Sequence, residues 1–406
     1  MKEPLLPNPS LATLTTAMFL FLFYAVVLSF QSWPAPLRTQ FQTRNDPTAL
    51  GFDFGIPRRA VDQLLRKEKI YTPSKNSYPN YDYVPQSLFV MLPFSHFSPK
   101  GGYYFLVIAG FAAIFLMFLR SAQCLARGNL PFYVLFFPAL VLTSQAGLLL
   151  FDRGNLDILG AFFIYSTFLA LLCRREKTAA FFLAFATCVK PVYGPFFIFL
   201  FLLKDRWRCV MVYVLVHVAA VGTLTAIYGT HLFTDYLHSM TSYVEYVQEW
   251  TGDANISFLS LLATLNPTQS GWIMTLTSSV VVFFALCALG IFIYGLGRLR
   301  KGGLSDEEMP IFFVFFMYAT VLWQSLSFSY ISIILLLAAP ISDFLFSSSS
   351  SKSFKFLLLA HAVLLGFIFC LDRRHSALIG FKAPYYFAAF MTWTLVLLNY
   401  RLRKRA

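Results

Sequence analysis

Long apolar runs separated by short polar breaks make up most of this chain. The runs cover roughly residues 11–31, 101–120, 130–151, 155–173, 179–203, 207–228, 272–297, 310–326, 328–347, 354–371 and 384–400. None alternates with the period of a strand, so each predicts a helix. A backbone in lipid is satisfied only within helices or closed barrels. The pattern therefore predicts an all-α polytopic membrane protein, a single transmembrane domain over residues 1–406 with about 11 hydrophobic segments.

Two longer polar stretches, 32–100 and 229–270, carry a helical pattern of their own. In RRAVDQLLRKEK, Ala60, Val61, Leu64 and Leu65 share one face, with basic residues opposite. In FTDYLHSMTSYVEYVQEW, Phe233, Tyr236, Leu237, Met240, Tyr243 and Val244 do the same. Both read as amphipathic helices lying in the membrane interface. One apolar run is interrupted at its centre by Lys190-Pro191, with Pro195 close behind. Proline disfavours helix in the residue before it and removes a rung of the ladder. Two short helices, about 179–189 and 191–203, should meet at Lys190, a broken, re-entrant pair.

Composition strengthens this picture. The chain is 58% hydrophobic, with 47 Phe, and only 13% charged, against about 25% for soluble domains. A net charge of +13 would suggest nucleic acid in a soluble protein. Here the cations sit in short connections: SAQCLARGN, RREK, KDRWR, RLRK, SSSSSKSFK and the RLRKRA tail. That distribution sets membrane orientation and removes the nucleic-acid reading. If all these connections face the cytoplasm, the segment around Lys190 has to turn back. Residues 32–100, DRGN, 229–270 and DRRHSALIGFKAP then share the outer face. The first run ends in SWPAPLR without a small-x-small cleavage site, so it reads as a retained helix rather than a signal peptide. The six cysteines are scattered, mostly inside apolar runs, and read as buried apolar residues rather than disulfides or metal ligands.

Candidate chemistry lies on the outer face. Asp53 sits between Phe52 and Phe54, just before Gly55. Desolvation among aromatics raises the pKa of such an acid, and the neighbouring Arg58 and Arg59 lower it. It can serve as a general base for a bound hydroxyl, or simply cap the following helix. The polar break FDRGNLDILG places Asp152, Arg153, Asn155 and Asp157 where one apolar run ends and another begins. Tyrosines 71, 78, 81 and 83 read first as interface anchors.

The order of these elements resembles the GT-C membrane glycosyltransferases, specifically glycosyltransferase family 87. The first outer loop of that family carries a motif similar to D-F-x-x-(Y)-x-R-A, matched here by Asp53, Phe54, Arg59 and Ala60, with Pro57 where Tyr is frequent. Ile70-Tyr71 and then Tyr81, Tyr83 and Pro85 in YDYVP follow. GNLD, Lys190-Pro191, the basic loop KDRWR, and Asn255, Ser257 and Leu259 in NISFLSLL come next, in the same order. The late helices of the family often show a Trp and a His in an outer turn. This chain has Trp323 there and no His, leaving Gln324 or Tyr330 as polar substitutes.

The resemblance implies a GT-C fold and inverting transfer of a hexose, mannose or a similar sugar, from a polyprenyl-phosphate donor to a lipid or glycan acceptor. It implies Asp53 as catalytic base. Lys190, with Arg58, Arg59 and Arg153, is the expected donor-phosphate set, because fixed cations stabilise a leaving phosphate. Asn155, Asp157, Tyr81, Tyr83, Asn255 and Ser257 are the expected sugar or acceptor contacts. For Asn155 and Asp157 the competing role is capping of the following helix. No D-x-D motif or glycine-rich phosphate loop occurs, and a lipid-monophosphate donor calls for no metal or cofactor. The expected place is a bacterial inner membrane, with the site on the periplasmic face. A lipid or small-molecule transporter is the alternative, though the charges cluster at segment ends rather than at mid-membrane depth.

Overall fold

The computed structural model describes residues 51–71, 83–125, 129–203, 206–248, 304–305, 308–322, 329–370 and 383–405. All regular structure among them is helical. The runs at 11–31 and 272–297, together with Tyr78, Tyr81, Asn255, Ser257, Trp323 and Gln324, lie outside the described residues. Two described helices are long and apolar enough to cross a membrane by themselves, Pro99–Leu125 and Trp207–Tyr228; several shorter apolar helices accompany them.

Helix α1 spans Phe52–Leu65, and α2 spans Ser87–Met91 and runs into a 3₁₀ turn at Leu92–His96. Then come α3 (Pro99–Leu125), α4 (Leu130–Thr143), α5 (Gln145–Arg153), α6 (Asp157–Leu172), α7 (Glu176–Val189), α8 (Tyr193–Leu203), α9 (Trp207–Tyr228) and α10 (His231–Gln248). Beyond them lie α11 (Met309–Leu322), a 3₁₀ segment at Ser329–Leu337 that includes Tyr330, α12 (Ala338–Ser348), α13 (Lys352–Cys370) and α14 (Ala383–Arg405).

The chain reverses at Lys190. Pro191 forces extended backbone there, φ −143° and ψ 127°, so α7 stops and α8 starts after one turn. Glu176, at the start of α7, pairs with Arg206 just before α9 at 2.9 Å. Near the other end of α7, Thr187 accepts a hydrogen bond from the Tyr213 hydroxyl of α9 at 3.1 Å. Helices α7 and α9 thus run side by side in one direction, and α8 carries the chain back between them. The Leu304 amide donates to Leu203 at 2.7 Å, so α11 begins where α8 ends.

Helix α3 runs parallel to α6, with Gly110 against Ile158 and Phe118 near Tyr165. The molecule therefore has two ends. One gathers the start of α1, the start of α3, the α5–α6 turn and Lys190. The other gathers the described parts of the α6–α7 and α8–α9 connections and the α3–α4 connection, where Asn129 donates to Asp343 at 2.6 Å. Between them lies an aromatic core. Phe168, Phe313 and Phe197 pack in series as tilted rings with centroids 4.7 and 4.8 Å apart, joining α6, α11 and α8 within the distances that aromatic pairs favour.

Four expectations change. The run 130–151 is two helices, because Ser144 adopts extended backbone and its hydroxyl caps α5 by accepting the Gly147 amide. The following helix begins at Asp157, not Asn155. The run 328–347 opens as 3₁₀ rather than α-helix. The amphipathic helix of the first loop starts earlier, at Phe52, and its faces are redistributed. Ala60, Val61 and Leu64 are buried as expected, but Leu65 is 53% exposed. Arg58, expected on the polar face, is buried, with the two Nη atoms of its guanidinium engaged inside the protein. It pairs with Asp62 and donates to the carbonyls of Ser95 and Phe97.

Candidate active site

Three separate chain segments converge at one end of the molecule: the first turn of α1, the α5–α6 turn and the α7–α8 apex. Two backbone turns with positive φ make the convergence possible. Gly51 (φ 72°) precedes α1, and Gly154 (φ 61°) ends α5. Both lie against the same ring, Tyr103 of α3, and a Cβ at either would come within 2.9 or 2.7 Å of it. The Tyr103 hydroxyl donates to the Phe151 carbonyl at 2.7 Å. Tyr103 is thus a wedge that fixes the Asp53 turn against the Asn155 turn. Phe54 locks the outer side through edge contacts with Phe94 and Tyr103.

The polar groups then form a continuous chain. Asn155 Nδ2 donates to Asp53 Oδ2 at 2.8 Å, and Arg153 Nε lies 3.3 Å from Asp53 Oδ1. Asn155 Oδ1 accepts the backbone amide of Asp157 at 2.9 Å. Asp157 Oδ2 pairs with Lys190 Nζ at 2.6 Å, and Asp157 Oδ1 accepts from the Tyr193 hydroxyl at 2.8 Å. Lys190 also sits 6.0 Å from the Tyr83 ring centroid, a cation–π distance. Asp53, Asn155 and Asp157 are all buried, Asp157 completely.

Two carboxylates and two cations balance in formal charge, but they are not equivalent. Burial raises the pKa of Asp53; Arg153, the Asn155 amide and Lys190 pull it down, and the Asp157 charge pushes it up, leaving it above its ordinary value of 3.8. The cations that act on Asp53 are Arg153 and Lys190, brought in by the fold, rather than its sequence neighbours Arg58 and Arg59. An acid with raised proton affinity, set beside two fixed cations, can accept a proton from a hydroxyl while the cations hold an anion.

Of the residues expected at a site, Asp53, Arg153, Asn155, Asp157 and Lys190 form this network, and Tyr83 lies beside it. Arg58 is turned into the contact between α1 and the 3₁₀ turn after α2. Arg59 is exposed, with its Nε directed to the Gly55 carbonyl at 3.3 Å. Tyr71 and Tyr83 are buried in protein rather than exposed as interface anchors, and the Tyr71 hydroxyl donates to the Tyr83 carbonyl at 2.8 Å. Asn155 meets the start of α6 through the Asp157 amide and also reaches across to Asp53. Tyr193 and Tyr103 were not expected. Tyr193 had a signal, since it follows Lys190 by three residues in the turn that opens α8. Tyr103 had none, as its partners are distant glycines.

A family model described as glycosyltransferase family 87 matches residues 81–301, just over half of the chain. Asn155, Asp157 and Lys190 fall inside the matched stretch, and Asp53 precedes it. No curated protein matches the chain.

Proposed function

Since the chain belongs to glycosyltransferase family 87, and so is a glycosyltransferase, we propose that it moves a hexose from a polyprenyl-phosphate donor to a lipid or glycan acceptor at a membrane surface, inverting the anomeric carbon. Mannose or a close relative is the sugar we favour, and the outer face of a bacterial inner membrane is the place. The observation that carries this reading is the buried Asp53 carboxylate, joined through Asn155 to Asp157 and Lys190, at the end of the molecule away from the Glu176–Arg206 pair.

In this reading the donor tail lies in lipid and its phosphate lies beside Lys190 and Arg153. Asp53 takes the proton of an acceptor hydroxyl. The freed oxygen pair bonds to the anomeric carbon from the face opposite the phosphate. The carbon–oxygen bond to phosphate breaks, and its electrons stay on the leaving polyprenyl phosphate. The transition state has oxocarbenium character, as in glycoside hydrolysis. Charge balances throughout: Asp53 loses one negative charge as the phosphate gains one. Arg153, paired with Asp53 before the reaction, loses that attraction as charge grows on the leaving group, where a fixed cation is most effective. Asp157 holds Lys190 in place, and an ammonium with three donors can meet both Asp157 and a phosphate oxygen.

The test is release of polyprenyl phosphate from a labelled lipid-linked sugar by purified full-length protein. Asp53→Asn should lower turnover by about 10²–10⁴-fold with thermal stability equal to wild type or higher. Near-wild-type turnover in that variant removes Asp53 as the base.

A further inference from the structure

The other end of the molecule carries a site of different character. Between the α6–α7 and α8–α9 connections lies a cavity of about 500 Å³, within the range of small-molecule sites (about 300–1,000 Å³). Arg174, Lys177, Arg206 and Arg208 line it, with Glu176 and Trp207. Among the described residues that line it, one carboxylate faces four cations, and Glu176 is already paired with Arg206. Across residues 174–177 and 204–208 the sequence places six cations against two acids. Arg174 adopts a left-handed backbone, φ 58°, just after α6, at a position where glycine is the usual residue. The cavity stands one α7 length from Lys190, about 20 Å for 14 residues at helical rise.

An apolar track leaves this cavity. Along α9, Trp207, Met211, Leu215 and Val218 are each 60–62% exposed among the described residues. Their spacings of four, four and three put them in one stripe on a helix. A cationic pocket whose rim is a tryptophan, continuing into an apolar stripe, has the polarity profile of one anionic amphiphile: a phosphate in the pocket, acyl chains along the helix. Tryptophan is the side chain enriched at that depth of a membrane, and basic pockets between helices are the usual receptors for anionic headgroups.

We propose that this cavity binds the phosphate headgroup of an anionic membrane lipid, in the leaflet opposite Asp53, with the lipid chains lying along α9. The proposal shares only the membrane placement with the transfer reaction and needs none of its chemistry.

Native mass spectrometry of the full-length protein, offered phosphatidylglycerol or phosphatidylcholine, tests it. Phosphatidylglycerol should be retained and phosphatidylcholine lost. Lys177 and Arg208 are exposed, so the double variant Lys177→Gln/Arg208→Gln should fold and should bind phosphatidylglycerol about thirtyfold more weakly, at about 1 kcal/mol per cation near a membrane. The charge-conserving Lys177→Arg/Arg208→Lys should keep binding, and polyprenyl-phosphate release should be unchanged in both. Brominated phosphatidylglycerol should quench a fluorescence component that Trp207→Phe removes. Equal retention of the two lipids, or wild-type binding by the charge-removed variant, overturns the proposal. Binding of millimolar inorganic phosphate that Lys177→Gln/Arg208→Gln abolishes, with no Trp207 quenching by brominated phosphatidylglycerol, assigns the cavity to free phosphate and overturns the lipid source.

Discussion

Asp53 and Asp157 are two buried carboxylates in one network, and their surroundings differ in a way that separates their roles. Asp157 is 0% exposed and held on both oxygens, by an ammonium at 2.6 Å and a phenol at 2.8 Å. Asp53 has an amide at 2.8 Å and a guanidinium at the longer distance of 3.3 Å. Its compensation falls short of its desolvation, and its proton affinity is raised. A group that must gain and lose a proton benefits from that shortfall. A group that must hold a lysine in place benefits from full satisfaction. The comparison supports the proposal that Asp53 takes the proton and that Asp157 positions Lys190.

Loss of transfer in Asp53→Asn is the largest expected effect and touches only the first half of this contrast. The second half is broken by Asp157→Asn. That change leaves the Lys190 ammonium without its counter-charge, and removing one member of a buried pair costs about 3–5 kcal/mol. The side chain of Lys190 keeps 22% exposure, so the lower end applies. Thermal unfolding in detergent should show a clear drop. Adding Lys190→Met to the same variant should recover part of it, because the double change leaves no orphaned charge. A double variant no more stable than the single would show that Asp157 and Lys190 do not act as a pair.

The pH profile sharpens the contrast further. Because the folded-state pKa of Asp53 is raised, the acid limb of kcat/KM should lie above 3.8, with activity rising as Asp53 loses its proton. The sign for stability is opposite. The folded protein holds this proton more tightly than the unfolded chain, so the contribution of Asp53 to stability is fully present below 3.8 and is lost as pH rises through the folded value. Arg153→Gln removes the strongest influence lowering that pKa, and the acid limb should move to higher pH. A limb that stays in place would separate Arg153 from Asp53.

How much of this was legible in the sequence follows from which interactions are local. Pro191 acts on the residue before it, so the reversal at Lys190 could be read directly. Apolar runs without alternation gave the described helices. Asp53, Asn155 and Lys190 could each be singled out, but the contacts between them could not. Asp53 meets Asn155 across 102 positions, and the Tyr103 wedge between Gly51 and Gly154 aligns their turns. Arg58 was misread for a related reason. Its burial depends on two carbonyls nearly 40 residues away, and helical periodicity carries no record of them. The split at Ser144 was missed because its cap is a single hydroxyl inside an otherwise uniform apolar run.

The smallest expected effect isolates a residue that the sequence pattern did not flag. Tyr193 contributes one hydrogen bond to Asp157, from the first turn of α8. Tyr193→Phe keeps the ring and its packing and leaves one oxygen of a fully buried carboxylate a donor short. That costs about 1–3 kcal/mol, less than loss of the ion pair, since Lys190 still holds the other oxygen. The direction of the kinetic change tells more than its size. If Asp157 only positions Lys190, Tyr193→Phe should raise KM for the lipid-linked donor while kcat and the acid limb set by Asp53 stay near wild type. If the phenol instead takes part in proton transfer, kcat should fall and the limb should move. The first outcome keeps the two carboxylates in separate roles; the second merges them into one proton-sharing unit and ends the contrast.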